Sequence, residues 1–324
     1  MQITVLAGGI GGARFLLGLR AAINSAADSV TVIANTADDI WLFGLRICPD
    51  LDTIMYTLGG GIDAERSWGR SKETWNASEE LAAYGVEPTW FGLGDRDLAT
   101  HVVRTQMLTA GYPLSAVTEA LCERWQPGVR LLPMTDDRVE THVVADDASG
   151  SRRAVHFQEY WIRLKAPQAH SVVAVGAEES RPGPGVLEAI AGAEVVVVGP
   201  SNPVVSIGTI LAVPGIAAAI RTTQAAVVGV SPIIGGAPVR GMADRLLPAI
   251  GVEVSARAVA ANYGCRQTGG LLDAWLVDES DAADLPALHA LGLRARAVPL
   301  YLRDDTTSRT LAREVLALAH SAST

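Results

Sequence analysis

Short apolar runs recur along the chain, and most end in a small or polar turn. Ile3-Thr4-Val5-Leu6 leads into Ala7-Gly8-Gly9-Ile10-Gly11-Gly12-Ala13-Arg14, and Val30-Thr31-Val32-Ile33-Ala34 leads into Asn35-Thr36-Ala37-Asp38-Asp39. Similar runs stand at 129–134, 172–175, 195–198, 227–230, 274–277 and 295–298. Runs of this length without alternation predict strands buried on both faces, as in a parallel sheet. Helical periodicity separates them, at 15–22, 98–110, 114–125, 185–191, 215–221 and 308–320. Strand, helix and strand in succession predict parallel βαβ units. The expectation is a single α/β domain over 1–324, a Rossmann-like mostly parallel sheet with helices on both faces. Segments 140–145 and 153–158 alternate around Asp146-Asp147-Ala148-Ser149-Gly150-Ser151 and predict a hairpin. Together with the tryptophan-rich helical stretch before it, this hairpin reads as an insertion over 54–165.

Composition narrows the class. With 49% hydrophobic and 19% charged residues in 324, a sizeable core is expected and disorder is not. The net charge of −9, with no Lys/Arg cluster interleaved with aromatics, disfavours nucleic acid as a partner. No stretch approaches the roughly 18 apolar residues of a membrane span, so no membrane partner is expected. Cys48, Cys122 and Cys265 are widely spaced and form no C-x-x-C pair, which argues against a disulfide framework and a zinc site. The chain enters its first strand at once, without a signal-peptide pattern, so a cytoplasmic location is expected.

Ligands of parallel sheets gather beyond the C-terminal strand ends. The turn holding Gly8, Gly9, Gly11 and Gly12 lies at one such end, and Asn35, Thr36, Asp38 and Asp39 at another, which makes them neighbours in space. The glycine turn can cradle phosphate on backbone N–H groups, or simply pack helix on strand. The dinucleotide fingerprint G-x-G-x-x-G is incomplete, because its third position is Arg14. Asp50-Leu51-Asp52 reads as a loop, which either curls two carboxylates onto one Mg²⁺ or is an ordinary turn or cap. Gly94-Asp95-Arg96-Asp97 precedes His101 and Arg104, which share a helix face; a capped helix start with a surface ion pair is the simpler reading, a phosphate clamp the other. Ser201-Asn202 and Ser231 sit in two Pro-containing turns after buried strands, able to bind a base edge or phosphate, or to act only as turns. His142, His156 and His170 match no metal spacing, so a structural or solvated role is expected. Neither a Walker A loop nor a G-x-S-x-G elbow occurs.

Seven motifs stand together and in order: Gly8-Gly9-x-Gly11-Gly12-Ala13, Asn35-Thr36-Ala37-Asp38-Asp39, Pro49-Asp50-Leu51-Asp52-Thr53, Gly92-Leu93-Gly94-Asp95-Arg96-Asp97-x-Ala99-Thr100-His101, His156-Phe157-Gln158, Gly199-Pro200-Ser201-Asn202-Pro203-x-x-Ser206-Ile207-Gly208 and Ser231-Pro232-Ile233-Ile234-Gly235. In these the chain resembles the CofD/FbiA family, transferases of deazaflavin coenzyme biosynthesis. Arg46-Ile47-Cys48-Pro49, Gly59-Gly60-Gly61 and Glu73-Thr74-Trp75-Asn76-Ala77 resemble its actinobacterial branch. The resemblance implies two small-molecule substrates: the deazaflavin precursor Fo and a guanylylated three-carbon phosphoacid. The terminal ribityl hydroxyl of Fo attacks the phosphorus bearing the acid, phosphoenolpyruvate in this branch or phospholactate in others, and GMP leaves. It further implies a homodimer. On this reading Asp50 and Asp52, with Asp38, hold Mg²⁺, and Asp50, Asp52 and Arg96 are catalytic. The glycine turn, with Asn35, Thr36 and Asp95, binds substrate. Ser201, Asn202 and Ser231 bind the guanylyl part, and Trp68 and Trp90 wall the deazaflavin. Two rivals remain: an NAD(P)-dependent oxidoreductase using the first βαβ unit, and a non-catalytic nucleotide-binding regulator of the YvcK type.

Overall fold

A computed structural model describes residues 1–23, 27–147 and 149–321. Seven strands form one sheet: β1 (Gln2–Ala7), β2 (Ser29–Ala34), β3 (Arg130–Pro133), β4 (Val195–Val198), β5 (Ala226–Val230), β6 (Ala274–Val277) and β7 (Arg294–Ala297). All neighbours pair in parallel, in the spatial order β7-β6-β5-β4-β1-β2-β3. The chain builds outward from β1 to β3, then returns to lay β4 on the other side of β1. That reversal is the topological switch point of a Rossmann-like sheet, where a crevice opens at the C-terminal strand ends.

Alternation along each strand feeds two cores. Leu6, Ile33, Leu132, Val196, Val198, Val227 and Trp275 point to one face. Ile3, Val5, Val32, Leu131, Val197, Val228 and Leu276 point to the other. The second face is covered by α1 (Gly9–Ala22), α2 (Pro49–Leu58), α4 (Leu114–Trp125) and the closing helix α6 (Asp305–His320), with α3 (Asp95–Thr109) alongside. The first face is covered by helices that include α5 (Ile207–Ala212) and by an antiparallel sheet. Helices α1 and α6 approach so closely that a Cβ on Gly18 would lie 2.1 Å from the Ser308 carbonyl oxygen.

Two expectations change here. The run at 172–175 is not in the parallel sheet: Ala169–Val175 pairs antiparallel with Glu140–Asp146, which also pairs with Arg152–His156. Val173 and Val175 stay half exposed, so only one side of this strand is covered. A short valine run cannot by itself distinguish the two environments. Nor is 54–165 wholly an insertion, since it contains the edge strand β3 and helix α4 packed on the sheet.

Between β2 and α2 a small hairpin, Ile40–Leu42 against Leu45–Ile47, pairs Ile40 with Ile47. It returns the chain to its starting point and so brings Asp38 beside Asp50, although twelve positions separate them in sequence. Among the described residues, no helix is long and apolar enough to cross a membrane.

Candidate active site

A cleft of about 480 Å³ opens at the switch point. Its floor is the start of α1 (Gly8 to Gly11), the turn Pro200-Ser201-Asn202 after β4, and Ser231-Pro232 after β5. Asp38 and Asp50 line it as well. Glycine is required in two ways: Gly9 has φ +62°, and a Cβ on Gly11 would stand 2.4 Å from the Pro200 carbonyl oxygen. The turn is therefore packed against the protein's own β4 loop. Two of its N–H groups are already used, with Gly8 N donating to Ser201 Oγ (3.0 Å) and Gly9 N to Asp50 Oδ1 (2.9 Å). Ile10 and Gly11, in the first turn of α1, have N–H groups with no intrahelical acceptor, and they lie at the positive end of the helix dipole.

Asp50 is buried and fixed from two sides. Asn35 Nδ2 donates to its Oδ2 (3.0 Å) while Gly9 N holds Oδ1. The Asn35 amide cannot turn, because its Oδ1 accepts from Thr209 Oγ1 (2.8 Å) and from the Ala37 N–H (2.9 Å). Burial lifts the Asp50 carboxyl to about 6 despite these hydrogen bonds. Asp38 is raised too, first by burial and then by the nearby charge of Asp50. Its Oδ1 is buried without a hydrogen-bond partner among the described residues. Asp39 turns the other way, to Arg46 NH2 at 3.2 Å, and burial lifts it to about 6.

Asp50-Leu51-Asp52 is not a loop. Pro49 is the first residue of α2, and Asp50 and Asp52 lie in its first turn. Residues two apart on a helix do not face each other. Asp50 points to the cleft, whereas Asp52 pairs with both terminal nitrogens of the buried Arg104. His101 Nδ1 lies 3.0 Å from Arg104 NH1 and 3.7 Å from Asp52, and His101 Nε2 lies 3.4 Å from Asp97. Tyr56 OH closes the group by donating to Asp97 (2.6 Å). Asp52, Asp97 and His101 are spaced closely enough to share a cation, but the guanidinium already occupies Asp52.

The other expected residues divide between lining, support and elsewhere. Ser201, Asn202 and Ser231 line the cleft. Asn202 Oδ1 accepts from the Val204 and Val205 N–H groups, and Ser231 Oγ both accepts from and donates to Ile233, so these two also hold their own turns. Asn35 stands behind Asp50. Thr36 is buried outside the lining, and Gly12 packs its missing Cβ position on Ser201 and Ala7. Asp95 accepts from Thr74 Oγ1, from Asn76 N and Nδ2, and from Ala77 N; these bonds hold it at about 2 and start the helix Asn76–Ala83. The Arg96 side chain is exposed and does not line the cleft, nor do Trp68 and Trp90. Trp68 stacks edge-on with Trp75, and Trp90 with Phe91.

The aromatic wall is instead Phe157 and Trp161, edge to face at 5.8 Å. Trp161 sits on the single-turn π-helix Glu159–Arg163, and π-turns frequently mark functional positions. Arg14 and Arg240 also line the cleft. In the sequence Arg14 stands out only as the residue in place of the third fingerprint glycine. Arg240 carried no motif at all.

A family model described as 2-phospho-L-lactate transferase CofD matches residues 3–297. The phosphoenolpyruvate transferase of Streptomyces coelicolor is 65% identical over 320 residues, covering 98% of each chain. That of Mycolicibacterium smegmatis is 58% identical over 328 residues, covering 98% of this chain and 99% of the other. Among solved structures, protein BH3568 from Bacillus halodurans superposes with a TM-score of 0.64 at 19% identity, covering 97% of this chain and 99% of that one. That likeness is one of fold alone.

Proposed function

The chain belongs to the CofD family and is a transferase, and from that premise we propose that it moves a phosphoenolpyruvyl group from a guanylyl donor to the ribityl hydroxyl of Fo. The oxygen–phosphorus bond to Fo forms as the bond to GMP breaks, and the hydroxyl proton passes to solvent. GMP leaves as a stable phosphate anion and needs no protonation. Relatives at 58% and 65% identity carry the name phosphoenolpyruvate transferase, which favours that unit over phospholactate.

The observation that carries this reading is the pair of buried carboxylates, Asp38 and Asp50, beside the start of α1 in one cleft. Two neighbouring carboxylates with raised proton affinity, one with an orphaned oxygen, fit a hard divalent cation with oxygen ligands. Asp38 and Asp50 would hold Mg²⁺, which when bound supplies charge neutralisation to phosphate oxygens. Asp52, committed to Arg104, is left out of that set. Displacement at phosphorus asks mainly for positioning and charge compensation. Asn35 and Gly9 fix the Asp50 carboxylate for this purpose. The free N–H groups of Ile10 and Gly11 meet donor phosphate, and Ser201 offers its hydroxyl beside them. Phe157 and Trp161 offer a flat apolar surface to the deazaflavin ring.

Mass spectrometry of the product formed from Fo with each guanylylated acid tests the proposal, since enolpyruvyl and lactyl products differ by two hydrogens. No adduct and no GMP from either donor would sink it.

A further inference from the structure

We propose that Arg14 and Arg240 form a two-arginine clamp that closes on an oxyanion of the donor at the start of α1. The inference rests on the guanylyl-donor reading above and assigns two residues to its anion.

Both side chains line the cleft, but they come from unconnected segments: Arg14 from α1, Arg240 from the exposed stretch after Ala237–Pro238. Helical side chains lean towards the N-terminus of their helix. Arg14, one turn beyond Ile10, therefore reaches back over the first turn of α1, where the Ile10 and Gly11 N–H groups have no intrahelical acceptor. It is held in place without being neutralised, with NH1 donating to the Leu302 carbonyl (3.2 Å) and NH2 to Ser67 Oγ (3.1 Å). Among the described residues neither arginine pairs with a carboxylate, whereas the buried Arg46 and Arg104 both do. Arg14 is held below its usual range by burial and then by the positive charge of Arg240.

Two guanidiniums that repel one another across a cleft are better off with an anion between them. Each presents a planar fork suited to phosphate or carboxylate oxygens. The cleft thus offers carboxylates near Gly8 and Gly9, and two cationic forks on its lining, one from α1 and one from the stretch after Pro238. A ligand that carries a cation at one point and bare oxyanion charge at another matches both, as a nucleoside diphosphate ester with its Mg²⁺ does. The oxyanion is either the phosphate next to the nucleoside or the distal group of phosphate and carboxylate.

Calorimetric titration of GMP and GDP with Mg²⁺ into wild type, Arg240→Ala and Arg14→Lys tests the clamp. Arg240→Ala removes an exposed side chain, and Arg14→Lys keeps the charge while losing the fork, so both variants keep the packing of α1. The expected loss is about tenfold to a hundredfold in affinity for GDP. A loss shared by GMP assigns the phosphate next to the nucleoside, and a loss confined to GDP assigns the distal group. The double variant should lose less than the two singles combined, because both arginines serve one anion. Unchanged affinities in both single variants overturn the clamp, whatever the wild type does with Fo. A wild type that binds GDP through these arginines but makes no product from Fo and either donor overturns the transfer reaction and leaves the clamp standing. A wild type that binds no guanine nucleotide overturns both.

Discussion

Acidification should strip the protein of Mg²⁺ at a pH where the fold itself is favoured. In the folded chain Asp50 ionises at about 6, against 3.8 for an ordinary aspartate, because burial outweighs its bonds from Asn35 and Gly9. Between those two values the folded state holds more protons than the unfolded one. The stability contributed by the neutral carboxyl is complete below 3.8 and is lost as the pH rises through about 6. For Asp50 alone that loss is ~3 kcal/mol by neutral pH. Asp38 shifts in the same direction and adds to it. A divalent ion reverses the slope, since it binds only the ionised pair. Thermal unfolding with and without Mg²⁺, from about pH 5 to about pH 8, reads both slopes. The gain in Tm from Mg²⁺ should be large at about pH 7.5 and nearly absent at about pH 5. Calorimetry should show affinity falling about tenfold per pH unit below 6 for one carboxylate, and more steeply if both must ionise. Asp50→Asn should flatten the metal dependence. An Mg²⁺ effect that is equal at both ends of the range, or undiminished in Asp50→Asn, would refute the reasoning.

Asp52→Asn should destabilise the protein by about 3–5 kcal/mol, because it leaves the buried Arg104 with a broken partner; in urea titration a native midpoint, with Mg²⁺ binding lost instead, would return Asp52 to the metal set. Trp161→Ala should raise KM for Fo severalfold while GDP affinity stays at the wild-type level, and an unchanged KM would remove Trp161 from the acceptor wall. Gly18→Ala should cost about 1–3 kcal/mol, since α1 and α6 must part to admit a methyl group 2.1 Å from the Ser308 oxygen; a calorimetric Tm equal to wild type would show that the contact yields freely.

The sheet was legible because its signals are local. Unbroken apolar runs ending in small or polar turns place β1, β2, β4, β5 and β6, and the strand-end rule then places Gly8, Asp38, Ser201 and Ser231 in one crevice. The site was less legible where geometry departs from spacing. Asp50 and Asp52 invite pairing by proximity in sequence, yet Pro49 followed by an acidic first turn is itself a helix-start signal. Once the segment is helical, the two carboxylates part. The true neighbour of Asp50 is Asp38, delivered by a hairpin too short to register as periodicity. Phe157 and Trp161 reach the cleft only because an antiparallel sheet docks on the parallel one, a non-local event that single-chain periodicity does not encode.

Asp50 also sets the opening glycine turn apart from a dinucleotide site. In that fingerprint the start of the first helix is left open to a pyrophosphate. Here Gly9 N, the first donor of α1, is taken by a carboxylate, and that carboxylate belongs to the first turn of α2. A negative group therefore stands where phosphate would approach, and bare phosphate is repelled as well as attracted. A divalent cation on Asp38 and Asp50 would turn the repulsion into a bridge, leaving Ile10, Gly11 and Arg14 to meet the remaining oxygens. GDP affinity should then depend strongly on Mg²⁺, falling at least about tenfold in EDTA, whereas binding in the manner of a dinucleotide fold would be indifferent to the chelator. Asp50→Asn sharpens the comparison, because it removes both the repulsion and the bridge. GDP binding to that variant should lose its response to Mg²⁺ and settle between the two wild-type values. A variant that binds GDP as tightly as the Mg²⁺-loaded wild type would show that Asp50 opposes the phosphate without holding the ion.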